Sequence, residues 1–152
     1  MKFKISREDL LQPLQLVVGV VERRQTLPIL SNVLIALKDN CLSMTGTDLE
    51  VEIVGHVMLR DPEANGEITV PARKLMDICR SLPESTDITF TEKDGKVQII
   101  SGRSRFTLSS LPANEFPSID EGDSGKSFNI SNKEINNLIS RTSFAMAQQD
   151  VR

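Results

Sequence analysis

Hydrophobic positions along the chain change period several times, and each change marks an element. Phe3 and Ile5 flank Lys4 as in a strand, and Ser6 followed three residues later by Asp9 marks a capped helix start. Leu10, Leu11, Leu14, Val17, Val18 and Val21 then recur at helical spacing. That stripe is long enough to carry a helix through Pro13, which removes a backbone donor and predicts a kink. From position 32 the pattern turns strand-like, with an apolar run over 33–37, the turn pair Asp39-Asn40 and a second run over 41–44. After Gly46, Leu49, Val51 and Ile53 alternate with Asp48, Glu50 and Glu52, which predicts an antiparallel strand with one dry and one wet face. A loop over 60–66, with Pro62 and Asn65-Gly66, closes the block.

The same order then returns. Residues 67–70 read as a strand, and Pro71 suits the first position of a helix whose stripe is Leu75, Ile78, Cys79 and Leu82. Strands follow over 87–91, 96–100 and 105–109, with Asp94-Gly95 as the hairpin signal between the first two. Phe3-x-Ile5-Ser6 is matched by Ile68-x-Val70-Pro71 at an offset of 65, Asp39 by Asp94 at 55 and Gly46 by Gly102 at 56. Three markers in one order argue for duplication. The predicted fold is α+β: a strand-helix-strand-strand-strand unit repeated over about 1–65 and 66–117, with two helices on one face of antiparallel sheets. These repeats make one domain over residues 1–120. Residues 118–126 are polar and acidic, as a linker is. Phe128-Asn129-Ile130-Ser131 then repeats the opening strand at an offset of 125, and Ser131-x-x-Glu134 is a capping box ahead of Ile135, Leu138 and Ile139. Residues 127–152 thus read as the start of a further copy, cut short.

Composition narrows the chemistry. No stretch nears the roughly 18 apolar residues of a membrane span, and the opening Met1-Lys2-Phe3-Lys4 lacks an apolar signal core, so a cytoplasmic location without membrane contact is expected. Cys41 and Cys79 have no Cys-x-x-Cys or His spacing and read as reduced core residues. His56 is the only histidine and sits in an apolar run, which leaves nucleophilic catalysis little to build on. The net charge of −3 argues against capture of nucleic acid by bulk attraction. Distribution changes that picture: the helical stretches 7–24, 71–81 and 132–152 hold nine basic and six acidic residues, and the rest holds nine and fifteen. A basic helix side and an acidic strand side follow, the first suited to a polyanion. Asp48, Glu50 and Glu52 on one strand face suggest Mg²⁺ and phosphoryl chemistry as an alternative. A solvated sheet face requires that alternation anyway, and no phosphate loop accompanies the carboxylates, so neither metal nor cofactor is expected.

Five strings carry a specific resemblance: residues 26–30 (TLPIL), 45–50 (TGTDLE), 70–74 (VPARK), 101–106 (SGRSRF) and 144–152 (FAMAQQDVR). Together they resemble the bacterial DNA sliding clamp, the beta subunit of the replicative polymerase, over its first domain and the opening of its second. The resemblance implies a DNA-clamp fold in a homodimeric ring of six similar domains, with helices lining a hole around duplex DNA and sheets forming the wall. It implies a non-catalytic processivity factor of DNA replication that tethers the polymerase and meets the clamp loader through short peptides. Position by position, it places Arg24, Arg73 and Gln149 on the DNA backbone and Lys74, Ile78, Phe106 and Leu108 at the dimer interface, with Arg152 at the edge of the partner-peptide pocket. Gln12 departs from the family's lysine. Besides the carboxylate enzyme, a duplicated protein-interaction domain without a nucleic-acid role fits the same pattern.

Overall fold

In the computed structural model, which describes residues 1–21, 27–60, 62–117 and 128–146, two compact units are present, Met1–Ile119 and Asp120–Arg152. The first runs β1 (Lys2–Ser6), α1 (Arg7–Val17), β2 (Asn32–Lys38), β3 (Cys41–Thr47) and β4 (Glu52–Met58). It then repeats as β5 (Gly66–Pro71), α2 (Ala72–Ser81), β6 (Asp87–Lys93), β7 (Lys96–Ser101) and β8 (Ser104–Ser109). The α+β class and the repeated element order match the periodicity.

The sheets show what the order alone does not. Their strand orders are β1-β6-β7-β8 and β4-β3-β2-β5, so the leading strand of each copy has crossed into the other copy's sheet. The registers are related by the same offsets as the sequence. Phe3 pairs with Phe90 and Ile5 with Ile88 in one sheet, and Ile68 pairs with Ile35 and Val70 with Val33 in the other. All eight side chains are buried. The Phe3 and Phe90 rings stack with centroids 4.8 Å apart.

Two seams join the sheets. On one, the Asn32 amide donates to the Thr69 hydroxyl (3.0 Å), which donates to the Leu111 carbonyl (2.9 Å), a buried relay across three segments. On the other, Lys2 exchanges backbone hydrogen bonds with Glu63 and Ala64. Among the described residues no buried side-chain nitrogen or oxygen lacks a partner, as a stable polar seam requires.

Helix α1 starts as predicted, with the Ser6 hydroxyl accepting from the Asp9 amide at 3.1 Å. It runs through Pro13 to Val17, burying Leu10, Leu14 and Val17. Its closeness to the sheet depends on two glycines. A Cβ at Gly55 would stand 2.6 Å from the Pro13 Cβ, and one at Gly46 would stand 2.6 Å from a Val17 methyl and 2.9 Å from the Val17 carbonyl. Helix α2 buries Ala72, Leu75, Met76 and Cys79, and the Arg7 guanidinium ties the helices by donating to the Cys79 carbonyl at 2.8 Å.

Four expectations need correction. Residues 48–51 form a turn, with Leu49 at φ 80°, so the alternating carboxylate face does not exist. Thr47 and Asp48 hydrogen-bond that turn from within, and such local bonds outweigh a two-residue alternation. Gly46 and Gly102 are not equivalent: Gly46 lies inside β3 under α1, whereas Gly102 sits in the β7–β8 turn at φ 56°. Pro71 ends β5 and caps α2 instead of occupying its first turn. Cys41 is half-buried, because β3 turns Leu42 and Met44 inward and alternation sends Cys41 to the other face. The two-residue turns Asp39-Asn40 and Asp94-Gly95 do have positive φ throughout, as that hairpin geometry demands.

In the second unit, α3 (Asn132–Thr142) begins with the full capping box: Ser131 accepts from the Glu134 amide and the Glu134 carboxylate accepts from the Ser131 amide. Its apolar stripe, Ile135, Leu138 and Ile139, is exposed.

Because each copy's sheet is completed by the other, unit one should unfold as a whole. Phe3→Ala should cost about 3–5 kcal/mol and lower amide-exchange protection in β2, β3 and β4 as well as in β6. A loss confined to the sheet that holds Phe3 would mean separately folded copies.

Candidate nucleic-acid interface

Helix α2 departs from the usual electrostatics of a helix start. Acidic side chains ordinarily occupy the first turn, where the unpaired N–H groups make a partial positive charge. Helix α1 follows this with Glu8 and Asp9, and α3 with Glu134. Helix α2 has no acidic residue there and no side-chain cap; its first turn carries Arg73 and Lys74, and Arg80 lies in its last. Arg73, Lys74 and Arg80 are exposed. Two cations added to the positive end of a helix oppose its stability and attract an anion.

Arg73 is held in place. Its guanidinium donates to the Val21 carbonyl at 2.6 Å, pinning the stretch after α1. A guanidinium has five N–H donors, so most remain for a phosphate. The charge division is less general than the sequence suggests. Among described residues α1 holds one basic and two acidic residues, and the helical excess falls on α2 and α3. Arg24, Gln149 and Arg152 lie outside the described residues.

The residues expected at a subunit interface lie on two elements, Phe106 and Leu108 on the edge strand β8 and Lys74 and Ile78 on α2. Lys74 is exposed, and Ile78 and Phe106 are partly buried against the core. Leu108 differs: it is 7% exposed and belongs to the core, opposite Val97 of β7. An apolar residue on an edge strand reads the same from sequence whether it faces the core or a partner.

The carboxylate alternative loses its geometry. Asp48 accepts from the Glu50 and Val51 amides at 2.9 and 2.8 Å, and these bonds, Val51's first, hold its carboxyl below the ordinary value of 3.8. Among the described residues no three His, Cys, Asp or Glu side chains are placed to hold a metal ion. Burial pushes the Cys79 thiol up to about 11, so it stays protonated and unreactive. An open groove of about 540 Å³ between β1 and β4 includes Lys4, Arg60, Asp9 and Asp87. Lys4 and Asp87, on neighbouring strands in its lining, pair at 2.7 Å, so it offers no excess of either charge there. Sequence reasoning missed one cluster: Cys41 and His56, 15 residues apart, meet with Sγ 3.7 Å from Nδ1. The hairpin register was the signal that would have found it.

Known proteins agree with this architecture. Residues 1–120 match the family model described as DNA polymerase III beta subunit, N-terminal domain. The chain is 61% identical over all 152 residues to the beta sliding clamp of Pseudomonas aeruginosa and 49% identical to that of Vibrio cholerae, spanning 41% and 42% of their lengths. A crystal structure of the Pseudomonas aeruginosa sliding clamp superposes with a TM-score of 0.95 over 99% of this chain and 41% of that one. Caulobacter crescentus pol III beta, at 38% identity, gives 0.93 over 99% and 40%.

Asp48 provides a test of the turn assignment. Its depressed carboxyl stabilises the fold fully above the unfolded value near 3.8 and loses that contribution as pH falls through the lower folded value. Asp48→Ala should therefore lower the melting temperature at pH 7, with the gap to the parent chain closing below about pH 4. Glu50→Lys should leave melting unchanged; a large loss there would restore a role for the carboxylates. With the turn, sheets and helices so placed, and with the match covering residues 1–120, the chain belongs to the DNA polymerase III beta subunit family, the bacterial beta sliding clamps.

Proposed function

We propose that this chain is the DNA-facing opening portion of a non-catalytic processivity factor, a ring that encircles duplex DNA and tethers the replicative polymerase. Residues 1–120 form its first domain, 118–126 the link and 127–152 the start of the next. The observation that carries the reading is the cationic first turn of α2 in a chain that is 61% identical, over its own 152 residues, to part of a sliding clamp. Helix stability alone disfavours Arg73 and Lys74 at that end, whereas a phosphate backbone rewards them without reading sequence. Weak contacts then suffice, because a closed ring is retained by topology. The acidic total is no obstacle, since it limits non-specific sticking while local positive charge meets the DNA. Arg24 and Gln149 extend the DNA contact, and Arg152 borders the pocket for polymerase and clamp-loader peptides. Lys74, Ile78 and Phe106 meet the partner subunit across the β8 edge, while Leu108 is buried in the core. Work on cytoplasmic DNA requires neither cofactor nor metal.

The full-length protein should lengthen synthesis by its polymerase on circular primed DNA and slide off once that DNA is cut. Retention on cut, open-ended DNA would contradict topological tethering. In equilibrium binding of the full-length protein to duplex DNA, Arg73→Ala should weaken affinity and reduce the log-log salt slope by roughly 0.9. Melting curves would separate this from loss of the Val21 tether.

Interface and core roles separate by substitution. In the full-length protein Ile78→Asp and Phe106→Ala should shift sedimentation from dimer to monomer at a smaller cost in melting than Leu108→Ala, since both side chains are only partly buried. Leu108→Ala should destabilise the domain by about 2–5 kcal/mol. Intact dimers in the first two variants would remove α2 and β8 from the interface.

A further inference from the structure

The outward face of the β2–β3–β4 meander brings together donors that the clamp reading leaves unused. Cys41 on β3 lies directly opposite Met58 on β4, and His56 lies opposite Ser43, two positions along. Directly paired residues share a sheet face, so Cys41, His56 and Met58 project from the same one. Cys41 is half-buried, His56 exposed and Met58 70% exposed. Ser43 is committed elsewhere, donating to the Ala36 carbonyl at 3.3 Å. The Cys41 Sγ and His56 Nδ1 stand 3.7 Å apart. Two ligands on one ion, with metal–sulfur near 2.3 Å, metal–nitrogen near 2.0 Å and an angle of about 110–120°, stand roughly 3.5–3.8 Å apart. The thiol–imidazole hydrogen-bond contact therefore already has a separation within the bite of a chelate.

We propose that Cys41, His56 and Met58 form a surface site for a soft monovalent cation, Cu(I). Thiolate, imidazole and thioether are a donor set that selects by softness. A three-donor set satisfies Cu(I), which accepts low coordination numbers, whereas structural zinc calls for four ligands. Lys38, opposite Cys41 on its other side, adds a positive charge to the row. It repels a divalent ion more than a monovalent one. On binding, the Cys41 thiol gives its proton to solvent and its sulfur bonds the metal, with no change in oxidation state. Cys79 does not compete, being fully buried with its thiol pushed up to about 11.

The test is anaerobic titration of the 152-residue chain with Cu(I) held by a chromogenic chelator, followed by X-ray absorption of the metal-loaded protein. The expected result is a single Cu(I) per chain with sulfur and nitrogen both in its shell. Cys41→Ser should abolish retention. His56→Ala should lose at least the roughly 10- to 100-fold that outer-shell partners of metal ligands cost, and Met58→Leu should lose less but measurably. All three changes lie on an outward face, so melting curves should stay close to the parent's and exclude misfolding as the cause. Cu(I) retained equally by Cys41→Ser or His56→Ala would overturn the site. Tighter binding of Zn²⁺ than of Cu(I) would overturn its soft character, and a Met58→Leu affinity equal to the parent's would remove the thioether.

Discussion

The exchange of leading strands between the two copies is the constraint on which the rest of the first unit depends. A three-stranded meander such as β2–β3–β4 has an apolar edge, and β5 covers it by placing Ile68 and Val70 against Ile35 and Val33. β1 does the same for β6 with Phe3 and Ile5. Neither meander meets its matching strand within its own copy, so the duplication yields one cooperative body. The exchange also fixes the helices. Each begins where a crossed strand ends, α1 directly after β1 and α2 directly after β5, and the Arg7 contact to Cys79 binds them to each other.

Symmetry of the framework makes the asymmetry of its decoration informative. The two helices occupy corresponding positions, yet α1 opens with Glu8 and Asp9 and α2 with Arg73 and Lys74. Glu8 is integrated into structure: it accepts from the Ser85 amide at 3.0 Å, and that bond leads the causes holding its carboxyl below the usual range. Among the described residues the cations of α2 make one hydrogen bond, from Arg73 to the Val21 carbonyl. One copy has used its helix start for folding, and the other carries exposed cations at the positive end of its helix.

Much of this was legible in the sequence, for identifiable reasons. Long apolar stripes such as Leu10, Leu14 and Val17 have few competing interpretations, and hairpin pairs such as Asp94-Gly95 announce a backbone conformation that few residues adopt. The turn at 48–51 was hidden because Leu49 and Val51 are apolar without being buried, at 53% and 48% exposure. Alternation reports composition, and only burial turns it into a sheet face. The strand exchange was invisible because each copy's internal order is the same whether its first strand stays or crosses. Within the candidate interface, the cations of α2 were readable from position alone, whereas Leu108 required knowing which side of β8 faces the core. The meeting of Cys41 and His56 depends on hairpin register, which the misread turn had obscured.

The pairing of Phe3 with Phe90 has a consequence for synthesis. β1 is complete after residue 6, but its partner β6 ends at Lys93, so on a ribosome adding roughly 5–20 residues per second the first strand waits about 4–17 seconds for its neighbour. During that interval β2, β3 and β4 can pair locally, while Phe3 and Ile5 stay in the emerging chain without the sheet that will cover them. A nascent chain of this kind offers an apolar segment at its leading end for most of the domain's translation. The strand that locks the finished domain is therefore the part most exposed to misassociation while the domain is being made.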